Sequence, residues 1–91
     1  MTGPVLIQGE VVDAAGQPVA LARVAVEDGP GPIQDIGLLT GADGHFTLAV
    51  PGAGVYTVGV HADAYVPVRT TVTAGMAPGA RLRLVVKPEQ P

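Results

Sequence analysis

The 91-residue chain has no cysteine, serine, asparagine or tryptophan, and only one lysine and one phenylalanine. Each absence removes a class of chemistry. Without cysteine there is neither a disulfide framework nor a thiolate metal site. With serine also missing, nucleophilic hydrolysis would fall to a threonine, and no threonine is paired with an evident base. A Ser-His-Asp mechanism is excluded. The one lysine, Lys87, falls on an outward strand position near the carboxyl end, where a solvated charge is expected rather than a desolvated Schiff-base amine. Five basic and eight acidic residues leave a net charge of -3. No stretch gathers Lys or Arg around aromatics, so nucleic acid is not an expected partner. Nothing approaches the roughly 20 consecutive apolar residues of a membrane helix, and membrane insertion is not expected. Met1-Thr2-Gly3-Pro4-Val5 leads directly into a strand, without the basic and apolar segments of an export signal. The compartment stays open.

What is present is alternation. Hydrophobic residues make up 47% of the chain and aromatics 3%, so the core must be built from Val, Leu, Ile and Ala, a composition that suits packed sheets. Apolar residues recur at every second position and are broken by Asp and Gly pairs, as in half-buried strands joined by tight turns. The blocks read Gly9-x-Val11-x-Asp13-x-x-Gly16-x-Pro18, Ala22-x-Val24-x-Val26, Thr40-x-x-Asp43-Gly44-x-Phe46-x-Leu48 and Pro51-x-x-Gly54-x-Tyr56-x-Val58-x-Val60. They predict seven strands near Val5–Asp13, Leu21–Glu27, Gln34–Thr40, His45–Val50, Val55–Ala62, Val66–Thr73 and Ala80–Lys87. The expected fold is a single all-β, seven-stranded antiparallel Greek-key sandwich over residues 1–87, with a short tail over 88–91.

Strand alternation also assigns the faces. Val5, Ile7, Gly9 and Val11 share one face of the first strand, and Gln8 and Glu10 the other. The same rule turns Val24, Val26, Phe46, Leu48, Tyr56, Val58, Val60, Val68, Val72, Leu82, Leu84 and Val86 inward. It turns Arg23, Arg69, Arg81, Arg83 and Lys87 outward, and a one-residue slip would bury those charges. The third strand shows no alternation through Ile36, Gly37, Leu38 and Leu39. Asp28-Gly29-Pro30-Gly31-Pro32 reads as an irregular surface loop. Pro67, Pro78 and Pro88 are expected to blunt strand edges, and Met76 to pack its loop onto the sandwich.

These blocks, together with Gly54-x-Tyr56 and the later Tyr65, resemble the carboxypeptidase regulatory-like domain, a transthyretin-like (prealbumin-like), Ig-like sandwich, over about Ile7 to Val85. Two positions depart from the family pattern: Leu21 stands where glycine usually precedes alanine, and Ala64 where glycine usually precedes tyrosine. The resemblance implies a noncatalytic accessory module that serves protein interaction or structural spacing, with a protein partner or larger assembly. A carbohydrate-binding module is the alternative, since the sandwich superfamily includes sugar-binding domains. Sugar sites usually expose aromatic faces, and here only Tyr65 is free to serve. A small metal-dependent enzyme ranks last, and no cofactor is expected. Related isopeptide-forming domains join an early lysine to a late Asn or Asp, but this chain has no early lysine. Related ureide hydrolases end in Tyr-Arg-Gly-Ser, whereas this chain ends Val85-Val86-Lys87-Pro88-Glu89-Gln90-Pro91.

If consecutive strands alternate in direction, the loops after strands one, three and five emerge at the same end. They carry Asp13, Asp43 and Asp63, with His45, His61 and Tyr65 close by, and form the candidate partner-binding end. Carboxylates and imidazoles on loop tips could hold a divalent cation or meet a basic partner. Equally, Asp13-Ala14-Ala15-Gly16 and Asp43-Gly44 are what tight turns require. A simple hairpin of strands four and five would set His45 directly opposite His61, about 5 Å apart at Cβ. The resemblance implies instead that this connection crosses between sheets, which places the two imidazoles on opposite outer surfaces.

Overall fold

A computed structural model describes residues 5–30, 36–75 and 80–89. It contains β1 (Val5–Asp13), β2 (Arg23–Asp28), β3 (Gly37–Leu39), β4 (His45–Val50), β5 (Gly54–His61), β6 (Val68–Ala74) and β7 (Ala80–Val86), and the described residues include no helix. The strands form a three-stranded sheet in the order β4-β1-β7 and a four-stranded sheet in the order β3-β2-β5-β6. The chain runs to and fro, so odd-numbered strands point one way and even-numbered strands the other. This explains the one departure from an antiparallel sandwich: β1 and β7 are both odd and adjacent, so they pair in parallel, from Ile7 with Ala80 to Asp13 with Val86. The other pairings are antiparallel.

Six of the seven strand boundaries lie within two residues of the sequence expectation. β3 is shorter. Its residues do alternate, with Ile36 and Leu38 half-buried and Gly37 and Leu39 exposed; the apolar Leu39 on the outer face hides that period in the sequence. Gly31, Pro32, Gln34, Met76 and Pro78 lie outside the described residues.

The core fills the space between the sheets with Ile7, Val11, Val24, Val26, Phe46, Leu48, Val50, Tyr56, Val58, Val60, Leu84 and Val86, all buried as the alternation predicts for their strands. Val68, Val72 and Leu82 point inward but are only half-buried. For β6 the reason is position: an edge strand has a neighbour on one side only. All five basic side chains are exposed. Phe46 lies under β1 at Gly9, where an added Cβ would stand 2.6 Å from the phenyl ring. Position 9 must therefore be glycine for the one phenylalanine to fit. The buried Tyr56 keeps its hydroxyl satisfied by donating to Gly52 O at 2.7 Å, as a buried phenol requires.

Leu21 and Ala64, the two positions where the resemblance leads one to expect glycine, have φ of 60° and 70°. That is left-handed backbone, which costs a residue bearing Cβ roughly 1–2 kcal/mol. The fold keeps the glycine geometry at both turns without the glycine.

Candidate functional site

The loops after β1, β3 and β5 do meet at one end, and backbone hydrogen bonds join the first two. Val11 N donates to Gly44 O at 2.8 Å and Val19 N to Val11 O at 2.9 Å, which ties the first two loops together. Leu21 N donates to Thr40 O and Thr40 N to Ala22 O. Thr40, 2% exposed, completes the junction. Its hydroxyl donates to Val19 O at 2.7 Å and accepts from Ala22 N at 2.9 Å. The third loop is held by the chain after β7: Val66 N donates to Lys87 O and Glu89 N to Ala64 O. Pro88 bridges Tyr65, so the first two residues of the expected tail belong to the sandwich.

Two of the three aspartates on this end are occupied. Asp13 Oδ1 accepts from Ala15 N and Gln17 N, both at 2.9 Å, while Asp13 O accepts from Gly16 N. Asp43 Oδ1 accepts from His45 N at 3.0 Å, and Oδ2 accepts from His45 Nδ1 at 2.9 Å. Above all, the His45 side-chain hydrogen bond holds the Asp43 carboxyl below the usual aspartate range. Such bonds shape turns. Gly44 follows with φ +76°, where an added Cβ would lie 2.6 Å from Val11 O. Asp63 is exposed and forms no side-chain hydrogen bond or ion pair among the described residues.

His45 and His61 lie on different sheets, so the hairpin pairing does not occur and the two imidazoles occupy opposite outer surfaces. Each faces a glutamate that sequence reasoning did not single out. On the three-stranded sheet, Glu10 lies 3.6 Å from His45 Nε2 and 3.6 Å from Arg83 Nε. On the four-stranded sheet, Glu27 lies 3.8 Å from His61 Nε2 and 2.6 Å from Arg69 Nε. Alternation puts Glu10 outward, but the strand order 4-1-7 that supplies its neighbours is not written in any local pattern. Glu27 is the extra residue where the β2–β5 register shifts, and a β-bulge of this kind leaves no sequence period to detect.

The Asp43–His45 pair has the geometry of a carboxylate orienting an imidazole. A catalytic arrangement needs a nucleophile at the other ring nitrogen, and here that nitrogen faces Glu10. Among the described residues no three His, Asp or Glu side chains are placed to hold a metal ion. One concave feature of this end is a depression of about 460 Å³ lined by Leu21, Arg23, His61, Asp63, Tyr65 and Glu89, among others; His45 lines a separate one on the three-stranded sheet with Glu10 and Arg83. Tyr65 is half-buried, with its body against the core. Of the six candidate residues, His61, Asp63 and Tyr65 thus share one concavity; Asp13, Asp43 and His45 do not line it.

Seven strands in a three-plus-four sandwich define a small β-sandwich domain. The chain belongs to the carboxypeptidase regulatory-like domain family, whose sequence profile matches residues 6–87. No curated protein matches it in sequence. Its fold is similar to the crystal structure of 3-chlorocatechol 1,2-dioxygenase from Rhodococcus opacus 1CP, with a TM-score of 0.73 and 12% identity over 97% of this chain and 61% of that one. It is also similar to catechol 1,2-dioxygenase from Pseudomonas arvilla C-1, with a TM-score of 0.75 and 12% identity over 100% of this chain and 54% of that one. The domain spans between half and two thirds of those enzymes, and at this identity the likeness is one of fold.

Proposed function

We propose that the domain is a noncatalytic accessory module that binds a protein partner, or a neighbouring domain of a larger assembly, through the depression at the stitched end. The observation that carries this reading is the division of labour among the candidate side chains: Asp13 and Asp43 shape turns, while Asp63, His61 and Tyr65 line a concavity on a rigid frame. Loops held on a rigid scaffold are the usual place for recognition. The noncatalytic part rests on the missing serine and cysteine and on the carboxylate that occupies the space a nucleophile would need beside His45.

Proteins encoded next to this chain are the natural ones to titrate against it. Exposed charges are screened over about 8 Å at physiological salt, so binding weakens as salt rises, and Asp63→Ala with Tyr65→Ala slows association while the fold persists. Asp13 and Asp43 are poor probes, because alanine there removes turn hydrogen bonds. Binding that survives the Asp63/Tyr65 change and disappears with Arg81→Ala and Arg83→Ala moves the surface to the three-stranded sheet. Turnover of an ester, peptide, glycoside or ureide that is lost on changing His45 or Asp43 would overturn the noncatalytic reading.

A carbohydrate ligand is the second reading, favoured by one observation: Tyr65 shares its depression with the hydrogen-bonding groups of Asp63, Arg23 and Glu89. Glycan-array binding abolished by Tyr65→Ala would select it over a protein partner.

A further inference from the structure

The outer face of the three-stranded sheet is built in cross-strand rows. The strand order and register place Leu6 beside Ala49, then Gln8 between Thr47 and Arg81, then Glu10 between His45 and Arg83. The last two rows line an open depression of about 530 Å³. They differ in how their polar groups are satisfied. In the third row Glu10 stands between two partners, 3.6 Å from His45 Nε2 and 3.6 Å from Arg83 Nε. In the second, Gln8, Thr47 and Arg81 are exposed, and among the described residues none of the three makes a side-chain hydrogen bond or ion pair.

The depression therefore sets two arginines against one glutamate, in a protein whose net charge is -3. On the other sheet the corresponding cluster is closed: Glu27 holds Arg69 at 2.6 Å, and no second arginine lines the concavity there. Beside the Arg81 row lies an apolar shelf. Leu6 is 49% exposed and Ala49 is exposed, about 7 Å from Gln8 and Thr47 along their strands.

We propose that this face binds an extended segment of another protein in which one acidic residue stands two positions from an aliphatic one. Side chains on one side of an extended chain are themselves about 7 Å apart. A segment lying along the strands thus brings its carboxylate to Arg81 as its aliphatic side chain covers Leu6 and Ala49. The guanidinium can donate two parallel N–H bonds to that carboxylate. Gln8 and Thr47 each carry donors and acceptors, which suits the backbone of an extended chain and goes unused by a small organic acid. Glu10, in the next row, favours a single carboxylate over a dianion such as phosphate, because like charges placed together are costly. The face is separate from the depression at the loop end, and the proposal stands whatever that end binds.

The test is a nuclear magnetic resonance titration of the isotope-labelled full chain with two blocked peptides, acetyl-Thr-Leu-Thr-Glu-Thr-amide and acetyl-Thr-Glu-Thr-Leu-Thr-amide, since the segment can run in either direction. One of them should shift the amide resonances of Leu6, Gln8, Thr47, Ala49 and Arg81 with a Kd of about 1 mM or below, and leave those of Asp63 and Tyr65 in place. Replacing the peptide's glutamate by glutamine should weaken binding about tenfold, as expected for loss of a charge-assisted pair. Arg81→Gln should weaken the glutamate peptide equally; Arg81 is exposed, so the circular dichroism spectrum is unchanged. The glutamine peptide should not distinguish this variant from the wild-type chain, because the pair is already broken. If neither peptide binds this face, or binding is indifferent to Arg81→Gln, the proposal is overturned. Sodium glutarate or phosphate shifting the same resonances at lower concentration than either peptide would overturn the extended segment as the occupant.

Discussion

The stitched end and the β6 edge handle the same problem, backbone groups beyond the reach of regular pairing, in opposite ways. At the end, Asp13, Thr40 and Asp43 supply side-chain partners, two loops hydrogen-bond to each other, and the third is bonded to the chain after β7. At the edge, the one charged side chain of β6 turns to Glu27, and among the described residues no strand pairs with its outer side. Visible charge in the sequence therefore points to the end, where two of the three aspartates are already engaged. Among the described residues the unpaired side of β6 belongs to a strand whose threonines and valines look ordinary. Charge marks where a fold is being held as readily as where it binds.

The largest expected effect makes no distinction between the two regions. Phe46→Ala should cost about 3–5 kcal/mol, as for other buried aromatics, against a net stability of roughly 5–15 kcal/mol. Urea denaturation checks this, and an unchanged midpoint would contradict the packing of Phe46 against Gly9. Thr40→Val separates the regions. It strips partners from the buried Val19 O and Ala22 N, at about 1–3 kcal/mol, whereas Thr71→Val, on the exposed face of β6, should stay within about 0.5 kcal/mol in dilute solution. Similar losses at both sites would erase the contrast.

A gain is expected at the two strained turns. Leu21→Gly and Ala64→Gly relieve the left-handed backbone of those residues and should each raise stability by up to about 1 kcal/mol. Leu21 is 71% exposed, so little burial is lost with its side chain. A fall in melting temperature for both variants would mean that their φ angles are not held as described. The smallest effect is the pH dependence of the Asp43 turn. A carboxyl lowered in the folded state contributes stability that is fully present above its unfolded pKa and is lost as pH falls through the lower folded value. Asp43→Asn should flatten that part of the acid limb; an identical acid profile in the variant would show that the His45 hydrogen bond contributes nothing.

Alternation made most of the sandwich legible. Val24, Val26, Phe46, Leu48, Tyr56, Val58 and Val60 are buried where period two puts them, because each strand keeps one face dry. Strand alternation also brought the Asp13, Asp43 and Asp63 loops to one end, as the register requires. Beyond that, legibility failed where neighbours along the sheet decide the outcome. Glu10 meets His45 and Arg83 because β1 lies between β4 and β7, and Glu27 reaches Arg69 because of a bulge and an absent side chain at position 59. Leu21 and Ala64 were visible as missing glycines, and their positive φ angles show what those glycines would have provided.

Amide hydrogen exchange in dilute solution tests the contrast between the two regions most directly. The account predicts that Val11, Val19, Ala22, Thr40 and Gly44, whose amides donate within the stitched end, are protected from exchange. Along β6, the amides that point away from β5 should exchange faster than these. Uniform protection of β6 in dilute solution, or coil-like exchange at the stitched end, would contradict it.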